Sequence, residues 1–279
     1  THDKGTVRAM LDKEGLTRYQ PAWAHYAYDL PDPCVLEFPC VFKPRSERAS
    51  RGVSIVRSVE DVSAALEKVQ AYGTRFLVEE CLVGSEHSAE MIFSGDPDHP
   101  VLWFNIVDRL FSYTDGLPME VGHVNPSALD HDAQVAIYLM MIDAADALGV
   151  TWGPFKIDVM QTKDGPKILE CTARLSGGFD SQVTSPLTGR YPLALLLHLA
   201  CRDAVALPHD MRQPTPQGVA ACAAILPDTT GKIHTLPADE RIVWTVAPGD
   251  IVAPPTHLGE RCGYAFAHAD TYEQAWASA

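Results

Sequence analysis

Positive charge is scarce in this sequence: 22 lysines and arginines stand against 36 aspartates and glutamates in 279 residues, a net charge of −14. Nucleic-acid surfaces rest on clustered Lys and Arg, so this balance excludes nucleic acid as a partner, and a bound polyphosphate would need local cations or Mg²⁺. Long apolar runs are missing too. The longest, LALLLHLAC, falls short of the ~18 residues that suggest a membrane span, so it reads as a buried helix and no membrane partner is expected. The seven cysteines (34, 40, 81, 171, 201, 222 and 262) are odd in number, show no C-x-x-C pairing and mostly sit in apolar strand or helix context. That is the usage of reduced structural thiols and points to the cytoplasm. No internal repeat is evident and no signal peptide is visible, and a chain that opens on Thr1-His2-Asp3-Lys4 without methionine is expected to begin upstream. What is present, 46% apolar and 21% charged residues, is the composition of a folded globular protein with one large domain or two to three lobes.

The densest chemistry lies between Trp152 and Gly178, WGPFKIDVMQTKDGPKILECTARLSGG. Alternation over 153–162, a break at Lys163-Asp164-Gly165 and resumption from Lys167 to Arg174 predict a β-hairpin. Strand side chains alternate faces, so Lys156, Asp158 and Met160 share one side, and Ile168, Glu170, Thr172 and Arg174 share one side of the second strand. A three-residue Lys163-Asp164-Gly165 loop would set Asp158 directly opposite Glu170, whereas a two-residue Asp-Gly turn would separate them. Opposed carboxylates repel, so a cation is required between them, and such oxygen ligands suit Mg²⁺ shared with substrate phosphates. Arg174 and the Ser176-Gly177-Gly178 turn then offer an anion a guanidinium fork and backbone N–H groups. A solvated hairpin is the plain alternative for this stretch taken alone.

Elsewhere, Val7, Met10 and Leu11 at helical spacing predict a helix over 3–16 that stops at Gly15. Residues 17–38 read as a connection, FPCVFKP as a strand with Lys43 at its end, RSERASRG as a polar loop able to cover a ligand, and GVSIV as a strand. Ser58 with Asp61 caps a helix running to Gly73. RFLVEE, EHSAEMIF and VLWFNIVDRL are predicted strands, 112–127 a loop region, and 130–148 an amphipathic helix ended by Gly149. A buried helix over 191–203, a lobe boundary near 208–217, short strands (GVAACAAIL, RIVWTV, GYAFAH) and a last helix from about Thr271 complete the chain.

Taken in order, the strand-end lysine before a polar loop, the strand ending Glu79-Glu80, the carboxylate at Glu86 and the Asp/Glu hairpin with its arginine resemble the ATP-grasp ligases over about residues 3–200. The resemblance implies an α/β (α+β) ATP-grasp fold. An ATP-grasp domain is expected over 1–210, its small lobe (about 17–83) and central lobe (about 84–210) clasping ATP, with a β-rich C-terminal α+β lobe over 211–279. The α/β domain that precedes this unit in the family is expected to be absent. By the same resemblance Lys43 holds the nucleotide phosphates, with Lys4 as a second basic position. Ser50, Arg51 and Gly52 match the loop that folds over the phosphates, here without its usual glycine richness. Glu79, Glu80 and Leu82 match the hinge where backbone groups read the adenine edge, Glu86 the carboxylate on the ribose, and His123 a contact to nucleotide or substrate. Asp158 and Glu170 match metal ligands, while Thr172 stands where asparagine is usual, which weakens a second metal. Arg174 and Lys156 match the catalytic cations near the transferred phosphate.

ARLSGG with TGRYPLALLLHLA, GHVNPS at 122–127 and the closing PGDIVAPPTHLGERCGYAFAHADTYEQA resemble the L-amino-acid ligase branch. What this implies is an enzyme that uses ATP and one or two Mg²⁺ ions, with Mn²⁺ as a substitute. It would activate a carboxylate, an amino acid in that branch, as an acyl phosphate for attack by an amine, giving an amide or dipeptide with ADP and phosphate. The implied partners are small-molecule carboxylate and amine substrates, with a homodimer or a separate N-terminal domain as protein partner. A catalytically incomplete ATP-binding fragment and an ATP-grasp carboxylase subunit are the competing readings.

Overall fold

A computed structural model describes residues 3–28, 36–47, 50–114, 117–201, 215–255 and 258–279. Helix α1 (Lys4–Lys13) begins where the Asp3 carboxylate accepts the Thr6 N–H at 3.0 Å, and it ends before Gly15, whose φ of 75° is the left-handed conformation that closes a helix. The connection expected after it contains a strand, β1 (Trp23–Ala27). With β2 (Cys40–Pro44), β3 (Ser54–Val56) and β4 (Arg75–Glu80) it forms a four-stranded antiparallel sheet in the order β1-β4-β2-β3. Helix α2 (Val62–Gln70), entered through the Ser58/Asp61 capping box, lays Val62, Ala65 and Val69 on Phe42, Val56, Phe76 and Val78 of that sheet.

The second sheet is larger. Its strands are β5 (Ser85–Ser94), β6 (Val101–Thr114), β7 (Leu117–Asn125), β8 (Trp152–Thr162), β9 (Gly165–Thr172), β10 (Val219–Ile225), β12 (Ile242–Trp244) and β14 (Gly263–Ala269), in the order β12-β14-β10-β7-β6-β5-β8-β9. The short β11 (Gly231–Lys232) and β13 (Ile251–Val252) pair separately. The loop expected over 112–127 is instead strand: β6 runs on to Thr114 and β7 fills most of the remainder, burying Met119 and Val124. Through β7 the C-terminal strands continue the central sheet, because β10 pairs with β7 at Ala220↔Asn125 to Ala223↔Gly122. Gly122 permits that junction. A Cβ there would sit 2.2 Å from the Cys222 carbonyl and 2.7 Å from the Trp276 ring, closer than any side chain tolerates.

Helices α1 and α3 (His131–Leu148, capped by Asp130 and ended by Gly149) cover one face of the sheet at β5, β6, β8 and β9. There Ala89, Met91, Phe155, Ile157, Val159 and Ile168 are fully buried, each large side chain contributing about 1.5–3 kcal/mol by leaving water. The other face receives α5 (Pro192–Cys201), which follows the single turn α4 (Ser185–Leu187) and packs Leu195 on Ile92, Leu102, Trp103 and Leu175. This helix is not buried all round as its composition suggests, since Leu193 and Leu197 are 43% and 66% exposed. The end of that helix, expected at 203, and most of the boundary expected near 208–217 lie outside the described residues. Helix α6 (Tyr272–Ser278), capped by Thr271, closes on β10 and β14. Six described cysteines are free thiols, and among the described residues no helix is long and apolar enough to cross a membrane.

Candidate active site

The β8–β9 hairpin turns on two residues, Lys163 and Asp164, because Thr162 pairs with Gly165, whose φ is 104°. Neither turn considered from the sequence is formed. The register then shifts: Val159 faces Ile168 but Asp158 faces Glu170, leaving Leu169 as the extra residue of a β-bulge. Two residues opposing one is what a bulge does, and it restores the Asp158–Glu170 pairing that the simple two-residue turn would lose. It also breaks the alternation assumed for the second strand. Ile168 belongs to the helix-covered core and Glu170 does not, so these two do not share a face. Across the neighbouring strands Ser88 pairs with Asp158, Glu90 with Lys156, and Lys156 with Thr172. Those positions alternate with core residues Ala89, Ile157 and Cys171, so they line the opposite face of the sheet.

Each carboxylate of the pair is held by cations. Glu170 lies 3.2 Å from Lys4, and Asp158 lies 2.7 Å from Lys156 and 3.4 Å from Arg109. Burial would raise the Asp158 carboxyl, but Lys156 and Arg109 hold it below the ordinary range. The Thr172 hydroxyl is buried and has no hydrogen-bond partner. Among the described residues no three His, Cys, Asp or Glu side chains form a self-sufficient metal cage. Mg²⁺ does not ask for one: it takes one or two carboxylates and completes its shell with water and phosphate oxygens. Two opposed carboxylates beside an orphan hydroxyl fit that ion.

Arg109 on β6 is the hub of the charges around Asp158. Its Nε and Nη2 donate to Glu120 at 3.0 and 3.1 Å, and Nη1 donates to Glu86. Arg261 adds a second cation to Glu120 at 3.1 Å and donates to its carbonyl at 2.7 Å. Burial works against the Glu120 anion, yet Arg109 and Arg261 pull its pKa down to about 2. Burial, with Asp158 and Glu120 nearby, outweighs the pull of Arg109 and Lys156 on Glu86 and pushes it up to about 7.

On the small-sheet side, Lys43 is buried within 2.5 Å of Glu79 and 3.4 Å of the Leu169 carbonyl. Burial lowers its pKa while Glu79 counters. Glu80 is exposed and accepts the Ala22 N–H at 3.1 Å. Leu82, just beyond β4, makes no hydrogen bond among the described residues, which leaves its N–H and C=O available. Lys4 joins Glu170 and also donates to the Glu47 carbonyl. Ser50 and Arg51 are exposed, and Gly52, at φ 72°, is pressed against Pro44 and Tyr72, where a Cβ would lie 2.7 Å from either ring. None of the three makes a hydrogen bond or ion pair with the hairpin among the described residues.

Beyond the hairpin, Arg174 is exposed and turns back to the Leu175 carbonyl at 2.8 Å, with no carboxylate partner among the described residues. His123 is buried, 2.8 Å from Asp180 and 3.4 Å from the Thr184 hydroxyl. Glu90 accepts from the Ser176 N–H and from the Ser181 hydroxyl at 2.7 Å, and burial together with the nearby Asp180 pushes it up to about 7. The structure thus joins Lys4, Lys156, Asp158, Glu170 and Thr172 around one hairpin, places Glu86 beside them through Arg109, and sets Lys43 and Glu79 against its bulge. Sequence reasoning missed Arg8, Glu90, Arg109, Glu120, Asp180 and Arg261. A usable signal existed for two: Glu90 and Arg109 stand inside strands otherwise rich in buried residues, where an unpaired charge is not tolerated.

Comparison with known proteins adds two family matches, an ATP-grasp domain over residues 36–182 and an L-amino acid ligase C-terminal domain 2 over residues 225–279. Among relatives, dapdiamide A synthase of Enterobacter agglomerans is 23% identical over 77% of the chain and 54% of its own length. A D-alanine–D-alanine ligase of Polynucleobacter asymbioticus is 25% identical over 56% of the chain and 47% of its own length. The chain therefore spans about half the length of these relatives. In fold it is similar to an L-amino acid ligase from Bacillus licheniformis, with a TM-score of 0.78 and 21% identity over 99% of the chain and 68% of that structure.

Proposed function

The chain belongs to the ATP-grasp family, and from that premise we propose that it acts as an ADP-forming carboxylate–amine ligase whose carboxylate substrate is an amino acid. The observation that carries this reading is the bulged hairpin that opposes Asp158 to Glu170 beside the unpartnered Thr172 hydroxyl. The match of residues 225–279 to an L-amino acid ligase domain supports the substrate class. Asp158 and Glu170 would hold Mg²⁺, which when bound neutralises phosphate oxygens. Lys43 and Lys4 bind phosphates, the Leu82 backbone reads the adenine edge, Glu86 binds the ribose, and Ser50, Arg51 and Gly52 cover the phosphates. Arg174, free of any described carboxylate, orients the acyl phosphate, and Lys156 holds Asp158 in place. His123, fixed by Asp180, borders the substrate side. The terminal phosphoryl group of ATP passes to the carboxylate oxygen, and the amine then attacks the acyl carbon and expels phosphate.

The test is product identity. The protein is incubated with MgATP and pairs of amino acids, nucleotide and phosphate are quantified, and the condensation product is weighed by mass spectrometry. One ADP and one phosphate per amide bond are expected, and stoichiometric AMP and pyrophosphate would overturn the mechanism. Lys43→Ala is expected to weaken MgATP binding about 10- to 100-fold, the worth of one charge-assisted contact of about 1.5–3 kcal/mol. The fold should survive, since Glu79 keeps its bidentate bond to Arg8. Calorimetry and circular dichroism check both halves, and an unchanged affinity would remove Lys43 from the phosphate site.

A further inference from the structure

Among the described residues, Arg8 is a fully committed cation. It lies on α1 with 2% exposure, and all five of its N–H donors have acceptors. Nε donates to Glu79 Oε1 at 3.0 Å, and Nη2 donates to Glu79 Oε2 and to the Leu169 carbonyl, both at 3.1 Å. Nη1 donates to the Ile168 carbonyl at 2.7 Å and to Gln20 Oε1 at 3.5 Å. The two carbonyls belong to the bulge that immediately precedes Glu170. Glu79, itself 4% exposed, therefore has two cations, Arg8 and Lys43, and the buried trio carries a net charge of +1.

A buried carboxylate takes whatever cation is offered, because an unpaired charge in the interior is costly. With Arg8 in place, both oxygens of Glu79 already have a guanidinium, and the ammonium of Lys43 is the surplus charge. Without Arg8, Glu79 would consume Lys43 entirely and the trio would be neutral. We propose that Arg8 is a positioning residue for nucleotide binding: it serves as the counterion of Glu79, leaves the charge of Lys43 for a phosphate, and through the bulge carbonyls ties that cation to the hairpin bearing Glu170. This rests on the reading of Lys43 as a phosphate ligand.

A purely structural role predicts loss of stability on removing Arg8. The charge-balance role predicts something more specific, namely rescue by removing the acid. MgATP affinity is measured by calorimetry on folded protein for Arg8→Met, Glu79→Gln and the double variant. Arg8→Met is expected to bind MgATP at least about 10-fold more weakly, the scale of one charged contact. The double variant, in which Lys43 again has no acid to satisfy, is expected to return to within about threefold of the wild type. Wild-type affinity in Arg8→Met, or a double variant no better than Arg8→Met, would overturn the proposal. If Arg8→Met does not fold, Arg8→Lys decides: it keeps the charge and should stay within about threefold, and a loss of about 10-fold or more would count against the idea. Lys43→Ala is the control for the underlying reading. If it binds MgATP normally, Lys43 is not a phosphate ligand and both readings fall; if it binds weakly while Arg8→Met does not, the role of Arg8 alone is refuted.

Discussion

Glu170→Gln is expected to lower ADP-forming turnover by about 100-fold or more, the scale seen when a preorganised electrostatic contact to the transition state is removed. The variant keeps the size and hydrogen-bonding capacity of the side chain and removes only the charge that faces Asp158 across the bulge. Two changes in the apo protein oppose each other. The like-charge approach to Asp158 is relieved, and the ion pair to Lys4, whose Glu170 end is 33% exposed, is lost. A pair that open to water is worth at most about 1 kcal/mol, so stability should change little. The measurement pairs a coupled ADP assay with denaturant unfolding. Full turnover in the variant would remove Glu170 from the metal site, and a loss of activity matched by a collapse in stability would make the residue structural.

Much of this site could be read before the fold was known because strand pairing turns sequence spacing into spatial proximity. The opposition of Asp158 to Glu170 was expected from a three-residue turn that does not form and is kept by the bulge instead, Thr172 followed from the family resemblance, and the helix ends at Gly15 and Gly149 from residues that tolerate a left-handed backbone. The bulge at Leu169 was not legible, since nothing in GPKILE marks which residue will be left over. Its cause is tertiary: Arg8 and Lys43 approach the Ile168 and Leu169 carbonyls from elements more than a hundred residues away. The spacing of Val7, Met10 and Leu11 marked the helix but did not single out Arg8. The reading of 112–127 as loop failed for a related reason. Glycine, proline and histidine there gave turn signals, while the partner strand β10, which fixes β7 as strand, lies about a hundred residues downstream. Likewise the exposure of Leu193 and Leu197 on α5 is not encoded in its leucine-rich sequence.

Arg109→Met should cost about 3–5 kcal/mol of stability at pH 8, the penalty for removing one partner from a buried ion pair. The guanidinium is shared by Glu120, Glu86 and Asp158, and it also lies 5.1 Å over the Phe111 ring. Methionine replaces the packing but leaves three acids with less compensation: Glu120 keeps Arg261, Asp158 keeps Lys156, and Glu86 has no other ion-pair partner among the described residues. The pH dependence separates charge from packing. In the wild type Glu86 already has a folded pKa of about 7, above its ordinary 4.5, because of burial. A carboxyl raised in the folded state binds more protons there than in the unfolded chain, so its contribution to stability grows as pH falls from 7 to 4.5. Removing Arg109 should raise Glu86 further and lift Glu120 from its wild-type value of about 2. The variant should therefore recover part of its deficit between pH 8 and pH 5, as the stranded acids take up protons. Below pH 4.5 the comparison narrows again, since the wild type itself loses the Glu120 contribution as pH falls from 4.5 through 2. Urea unfolding at pH 8 and pH 5 reads the difference directly. A deficit of equal size at both values would assign the loss to packing over Phe111 and refute Arg109 as the counter-charge that keeps Glu86, Glu120 and Asp158 ionised together.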